Sequence, residues 1–187
     1  GAYYNRSTGS YYNNSITAIS VDFSSTGLTE EAKSLIDNAV WYLGGLSTSN
    51  SISSEFYTSE RGTNVYTGRA TQWTGQIGLM YPSDYGYATG GGSTIDRGTC
   101  LAYNLSSWNN YSDCFNNDWL YDSSSQWTLT TTYNLSNAVF DPNPSGSIEY
   151  DYVNNVGHSI FPALYLSSDI KITSGTGSSS DPFELSL

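Results

Sequence analysis

His158 is the single histidine among 187 residues, and imidazole is the side chain best placed to move a proton near neutral pH. Ser and Asp are plentiful enough to draw a triad around it on paper, but no Gly-x-Ser-x-Gly turn supplies a patterned nucleophile, so a surface or hydrogen-bonded role outweighs a catalytic one. Seventeen Asp and Glu offer many carboxylate pairs for glycoside hydrolysis, and that freedom makes no particular pair meaningful. Zinc needs several His or Cys ligands, which one His and two Cys do not provide. Oxygen ligands for calcium are available at Asp113, Asn116, Asn117, Asp118 and Asp122, without the twelve-residue loop pattern and its terminal Glu. No cofactor is therefore expected, calcium being a partial match only. Gly90-Gly91-Gly92 is not followed by the Lys-Ser or Lys-Thr pair at a helix start that phosphate cradling requires and reads as a flexible loop.

The two cysteines, Cys100 and Cys114, have thirteen residues between them. Such a pair can close a loop in an oxidising compartment, contributing ~3 kcal/mol by the chain-entropy estimate; buried free thiols are the alternative. Six Lys and Arg against seventeen acids give a formal net charge of −11, which argues against nucleic acid and against anionic membrane surfaces. Few charges, many aromatics and much Ser, Thr, Asn and Gly suit an extracellular strand-and-loop protein. No stretch is apolar for long enough to span a bilayer, and residues 1–187 carry no signal-peptide pattern, so an exported chain is expected to be a mature or trimmed form.

The elements that must position these groups centre on residues 126 to 166. Trp127-Thr128-Leu129-Thr130 and Phe161-Pro162-Ala163-Leu164-Tyr165-Leu166 read as buried strands at its two ends. Between them lies a polar segment rich in Asn, Ser, Tyr and Asp, which suits an adaptable contact surface on a rigid frame. Asn143, Tyr150, Asp151, Tyr152, Asn154, Asn155 and His158 are the candidate ligand-binding residues, with Trp108 as a neighbour.

Elsewhere the pattern predicts one clear amphipathic helix over Thr29 to Leu43, with Thr29 as N-cap, Glu30 and Glu31 in the first turn and Gly44-Gly45 as the stop. Ile16 to Val21 reads as a short strand, and Tyr3-Tyr4 and Tyr11-Tyr12 as peripheral packing or contact residues. Phe56, Val65, Trp73, Ile77, Leu79 and Tyr81 are expected to point inward. Arg61 and Arg69 are expected to pair with an acid or stack on an aromatic ring. Residues 101 to 121 form a loop-rich lobe held by the cysteines and anchored by Trp108 and Trp119. Ile170 to Thr173 alternates as a strand, and a polar turn returns Phe183 and Leu185 to the body. The result is a single domain, 1–187, of α+β class: short twisted antiparallel strands, one helix and long irregular loops.

Several runs carry a resemblance: Leu79-Met80-Tyr81-Pro82-Ser83-Asp84-Tyr85-Gly86-Tyr87-Ala88-Thr89, the cysteine pair, Asn117-Asp118-Trp119-Leu120-Tyr121, Trp127-Thr128-Leu129-Thr130, and Pro162-Ala163-Leu164-Tyr165-Leu166-Ser167-Ser168 through Asp181-Pro182-Phe183. Over nearly its whole length the chain resembles a family of bacterial surface-protein domains from gut Firmicutes and Mollicutes, itself similar to the C-type-lectin-like fold of the formylglycine-generating type. The resemblance implies a bacterial cell-surface, extracellular location and the C-terminal part of a longer polypeptide. It implies no sulfatase-modifying activity, because residues 126 to 187 contain no cysteine. Asn137 to Ser159 occupies the place of the segment that retroelement-diversified relatives of this fold vary. Where the family has Gly-Val-Arg-Pro this chain has Ser159-Ile160-Phe161-Pro162, so an anchoring Arg is lost.

Three functions are thereby framed. The leading one is non-enzymatic ligand binding or adhesion, with a protein or glycan of a host or neighbouring cell surface as partner. The second is self-association as the subunit of a surface filament or layer, with the Tyr-rich N-terminal stretch as an inter-subunit strand. The third, a glycan-acting hydrolase, requires a pocket around His158 or paired acids.

Overall fold

The structure is a computed structural model that describes residues 2–5, 10–13, 28–153, 155, 157–178 and 180–187. The expected strand at 16 to 21 and the candidate ligand residue Asn154 lie outside the described residues. The described residues form a mixture of short helices and small antiparallel sheets, an α+β arrangement without a barrel among them. Strands β1 (Ala2–Asn5) and β2 (Ser10–Asn13) pair with Tyr3 opposite Tyr12. Helix α1 (Glu30–Ser34), strand β3 (Ala39–Tyr42), helix α2 (Ser53–Glu60) and strands β4 (Gln72–Gly75) and β5 (Ile77–Leu79) follow. Helices α3 (Pro82–Ala88), α4 (Arg97–Leu101) and α5 (Ser112–Asn116), with a 3-10 turn at Leu105–Asn110, build the middle of the chain. Strands β6 (Ala138–Pro142), β7 (Ile148–Tyr152), β8 (Pro162–Leu164), β9 (Lys171–Ser174) and β10 (Glu184–Ser186) complete it. Among the described residues five two-stranded sheets result: β1–β2, β3–β4, β5–β8, β6–β7 and β9–β10.

The expected fifteen-residue helix is the main correction. Thr29 does cap it, its Oγ1 accepting from the Ala32 amide at 3.1 Å, and Lys33 pairs with Glu30 at 2.8 Å. The helix nevertheless stops at Ser34, and Ala39-Val40-Trp41-Tyr42 becomes β3. A β-branched residue and two aromatics favour a pleated, half-buried surface, and pairing with β4 buries Trp41. The Gln76 side-chain amide donates to the carbonyls of Lys33 and Ile36 at 3.3 and 3.2 Å, so a distant residue satisfies the end of α1. Gly44 and Gly45 are not a helix stop: a Cβ there would collide with the carbonyls of Ser59 and Thr131, so their role is close backbone approach. In place of one amphipathic helix there are, among the described residues, five short α-helices, none longer than eight residues.

The main core gathers Leu46, Phe56, Tyr85, Leu105, Trp108, Phe140, Ile148 and both cysteines. Phe56 and Phe140 meet edge to face at 5.2 Å. Cys100 and Cys114 are at disulfide distance, with sulfurs 2.08 Å and Cα atoms 5.4 Å apart, and both are fully buried. A smaller cluster holds Trp127, Val139 and Val153, with Leu79 and Ile160 against it. Strand β6 is buried along its whole length, and its alternation sends Phe140 to the first cluster and Val139 to the second.

Three placements depart from the inward pattern. Trp73 lies opposite Trp41 but is 47% exposed, its ring laid across Gly75, because Trp41 already fills the space beneath the sheet. Trp119, expected to anchor the disulfide lobe, is 77% exposed. The second framing end is also outside: Phe161, Leu164, Tyr165 and Leu166 are all exposed, since β8 has only the three-residue β5 as a ladder partner. Gly91 has φ +66°, and the Gly92 amide donates to Ile95 at 2.7 Å, so the glycine run is a hydrogen-bonded turn rather than a loose loop.

Candidate functional site

The 126–132 segment is buried as expected, although it is extended chain tied by single bridges rather than a ladder strand. The Gln126 amide donates to Pro142 at 3.1 Å, Leu129 to Met80 at 2.9 Å, and the Phe140 amide returns to Thr130 at 2.9 Å. On its other side, Trp127 donates to Ser159 at 3.0 Å and the Ser159 amide to Ser125 at 2.8 Å. This parallel strap sets His158 beside Trp127. The two rings stack at 3.8 Å with an interplanar angle of 10°.

His158 is consequently inside, its side chain 6% exposed. Nε2 lies 3.3 Å from Asp141 Oδ2 and 3.5 Å from Asp151 Oδ2, ion-pair separations when the imidazole is protonated. Neither approach has hydrogen-bond geometry, and among the described residues neither ring nitrogen bonds a hydroxyl. Asp141 is buried and, among the described residues, its Oδ1 is without a hydrogen-bond partner. Asp151 is fixed further by its Oδ1, which accepts from the Tyr152 amide at 2.7 Å and from Asn155 Nδ2 at 2.6 Å.

Of the predicted ligand residues, the fold thus brings together Asp151, Asn155 and His158. Tyr150 and Tyr152 flank Asp151 on β7, and strand alternation puts them on the opposite face, where they are 44% and 46% exposed. Tyr150 meets Phe140 edge to face at 6.3 Å. Asn143 serves the β6–β7 turn: its Oδ1 accepts from the Ser145 amide and hydroxyl at 3.0 and 2.6 Å, and its Nδ2 donates to Ser147 Oγ at 2.9 Å. That turn needs Gly146 at φ +90°, packed under the Phe115 ring. Trp108 is fully buried against Tyr85 and is not part of any exposed face. Its apolar bulk is drawn to the disulfide core, which the spacing of a single Trp does not reveal. Trp127 and Asp141, the partners of His158, were not foreseen. A lone carboxylate inside the apolar run Ala138-Val139-Phe140-Asp141 was the available signal.

Two other buried acids have structural partners. Glu60 is fully buried, its Oε1 accepting from the Ser83 amide at 3.0 Å and its Oε2 from the Ser83 hydroxyl at 2.5 Å, at the start of α3. Burial pushes its carboxyl up to about 7, against the pull of Ser83. Arg61 approaches Glu60 at 3.3 Å and lies over the Tyr57 ring at 3.5 Å, both of the roles expected of it. Arg69 donates to the Ser136 carbonyl at 2.8 Å. Asp118 is raised to about 7, again by burial, while its Oδ1 accepts from the Leu120 amide at 2.8 Å. Asp113 takes Thr94 and Ile95 donors and Asp122 takes Ser124, so these proposed calcium oxygens serve separate local turns. Among the described residues no group of three or more His, Cys, Asp or Glu is arranged to hold a metal ion.

Searches among family models, curated proteins and solved structures find no match to the chain. Among the described residues no helix is long and apolar enough to cross a membrane.

Proposed function

We infer that the chain is a non-enzymatic binding or adhesion domain of a bacterial surface protein, with its contact face on β7. The observation that carries this is the two-sidedness of the strand. Tyr150 and Tyr152 face solvent, while Asp151 between them is tied to Asn155 and faces the buried His158. Exposed tyrosines on an anchored strand provide large contact area at small ordering cost. The C-type-lectin-like likeness, the extracellular location and a surface protein or glycan as partner belong to the same reading. Binding of the purified chain to glycan and host surface-protein arrays tests it. Replacing Tyr150 and Tyr152 together by Ala is expected to lower the leading signal at least about tenfold. A flat array, with cell adhesion unaltered by the double substitution, sinks the reading.

Self-association into a filament or layer is the second reading, favoured by the exposed apolar strip of Val40, Tyr42, Tyr165 and Leu166. Val40, Tyr165 and Leu166 share one shallow surface with Asp37 and Asn38. Light scattering decides it, a strictly monomeric chain at high concentration counting against assembly.

A further inference from the structure

We propose that Trp119 is the stacking platform of a second binding site, one for a neutral glycan that presents the apolar face of a hexose or hexosamine ring. Of the five tryptophans, Trp41, Trp108 and Trp127 are buried and Trp73 lies across Gly75. Trp119 alone projects, 77% exposed, with no hydrogen-bond or ring partner for its indole among the described residues. The backbone beneath it is firmly held. The Asp118 amide donates to Phe115 at 3.1 Å, Tyr121 to Asp118 at 3.2 Å, and Gly90 to Asn117 at 2.8 Å. Leu120 packs on the main core, and the Tyr121 hydroxyl donates to the Pro144 carbonyl at 2.8 Å. The exposure of the indole is therefore built into an ordered turn, and a pre-positioned ring loses little freedom when it binds.

The surroundings indicate the chemistry of the ligand. A standard protein interface takes roughly 800 Å² from each partner around an apolar centre, whereas one indole offers at most about 250 Å². The surface neighbours of Trp119 in sequence, Asn116, Asn117 and Asp122, are polar. One apolar plane on a turn whose adjoining residues are polar matches a sugar ring, which has an apolar face and hydroxyls at its edge. The net charge of −11 disfavours sulfated and sialylated glycans. The proposal rests on the chain being a binding domain but uses a surface other than the tyrosine face.

The whole chain would be titrated with galactose-, mannose- and N-acetylglucosamine-terminated oligosaccharides and their sulfated or sialylated counterparts. Calorimetry and tryptophan emission would be followed for the wild type, W119A, W119F and W73A, with melting curves as the folding control. The expected result is binding of at least one neutral oligosaccharide with a blue-shifted emission. W119A should weaken it at least about tenfold, W119F should restore part of the affinity, and W73A should leave it unchanged, all with an unaltered melting midpoint for W119A. Absence of binding at millimolar sugar, affinity indifferent to residue 119, binding confined to anionic glycans, or Trp119-dependent capture of a protein in place of sugar would each overturn it. If the double Tyr150 and Tyr152 variant loses its array partner while W119A keeps full sugar affinity, this site fails and the tyrosine face stands. The opposite pattern removes the tyrosine face and leaves this site.

Discussion

Residues 126–132 hold only Trp127 and Leu129 among Gln and Thr while 161–166 are apolar or aromatic throughout, yet the first, more polar segment runs through the interior and the second, apolar one along the outside. The first is closed on both sides: β6 and Met80 accept or return its backbone bonds, and the Ser159 strap covers its flank. Among the described residues the second pairs only with three residues of β5 and, by one bridge, with Ile36. Apolar content thus does not determine burial. What decides is how many other elements close over the strand, and that is a property of the topology.

The largest test of this contrast sets Phe140 against Phe161. Phe140→Ala removes a fully buried ring and is expected to cost about 3–5 kcal/mol in urea unfolding, while Phe161→Ala, at an exposed site, should stay within about 0.5 kcal/mol. Equal losses would mean that the outer strand is covered in solution. A second, intermediate effect comes from pH. Glu60 and Asp118 have folded-state carboxyls at about 7 against ordinary values of 4.5 and 3.8. The folded chain therefore binds more protons than the unfolded one between those limits. Their contribution is complete below the ordinary values and is lost as pH rises through about 7. Melting midpoints of Glu60→Gln should fall less steeply than wild type between pH 4.5 and 7; an identical slope would refute the assignment. The smallest effect belongs to the periphery: Thr29→Ala removes the cap of an exposed five-residue helix and should cost about 1 kcal/mol or less by the same unfolding measurement.

How much was legible in the chain follows the same division. Thr29 as a cap, the cysteine pair, β9, the stacking of Arg61 and the burial of Trp127 all depend on local pattern or on chemistry carried by a few residues. The fate of residues 35–43 did not. Their three-and-four spacing fits a helix, but Val40, Trp41 and Tyr42 also fit a strand, and β4, thirty residues further on, decides between them. The short helices α2 to α5 were invisible because Ser, Asn, Gly and Tyr have modest helix propensity, and packing around the cysteines supplies what propensity lacks. Within the candidate site, Asp151 and His158 were legible as polar residues of one segment. That they converge on Asp141 and Trp127, and that Tyr150 and Tyr152 turn away, depends on β6–β7 register and on the parallel strap at Ser159.

Strand β6 sends adjacent residues into different clusters, Phe140 toward the disulfide lobe and Val139 toward Trp127. Neither cluster can lose its packing without pulling on a strand that the other still holds. Opening the His158 side would expose one face of Ala138–Pro142, and opening the disulfide side would expose the other. Two apolar patches of unequal size therefore share their cooperativity, so that a disturbance beside the imidazole is felt as a change in the opening equilibrium of the distant lobe.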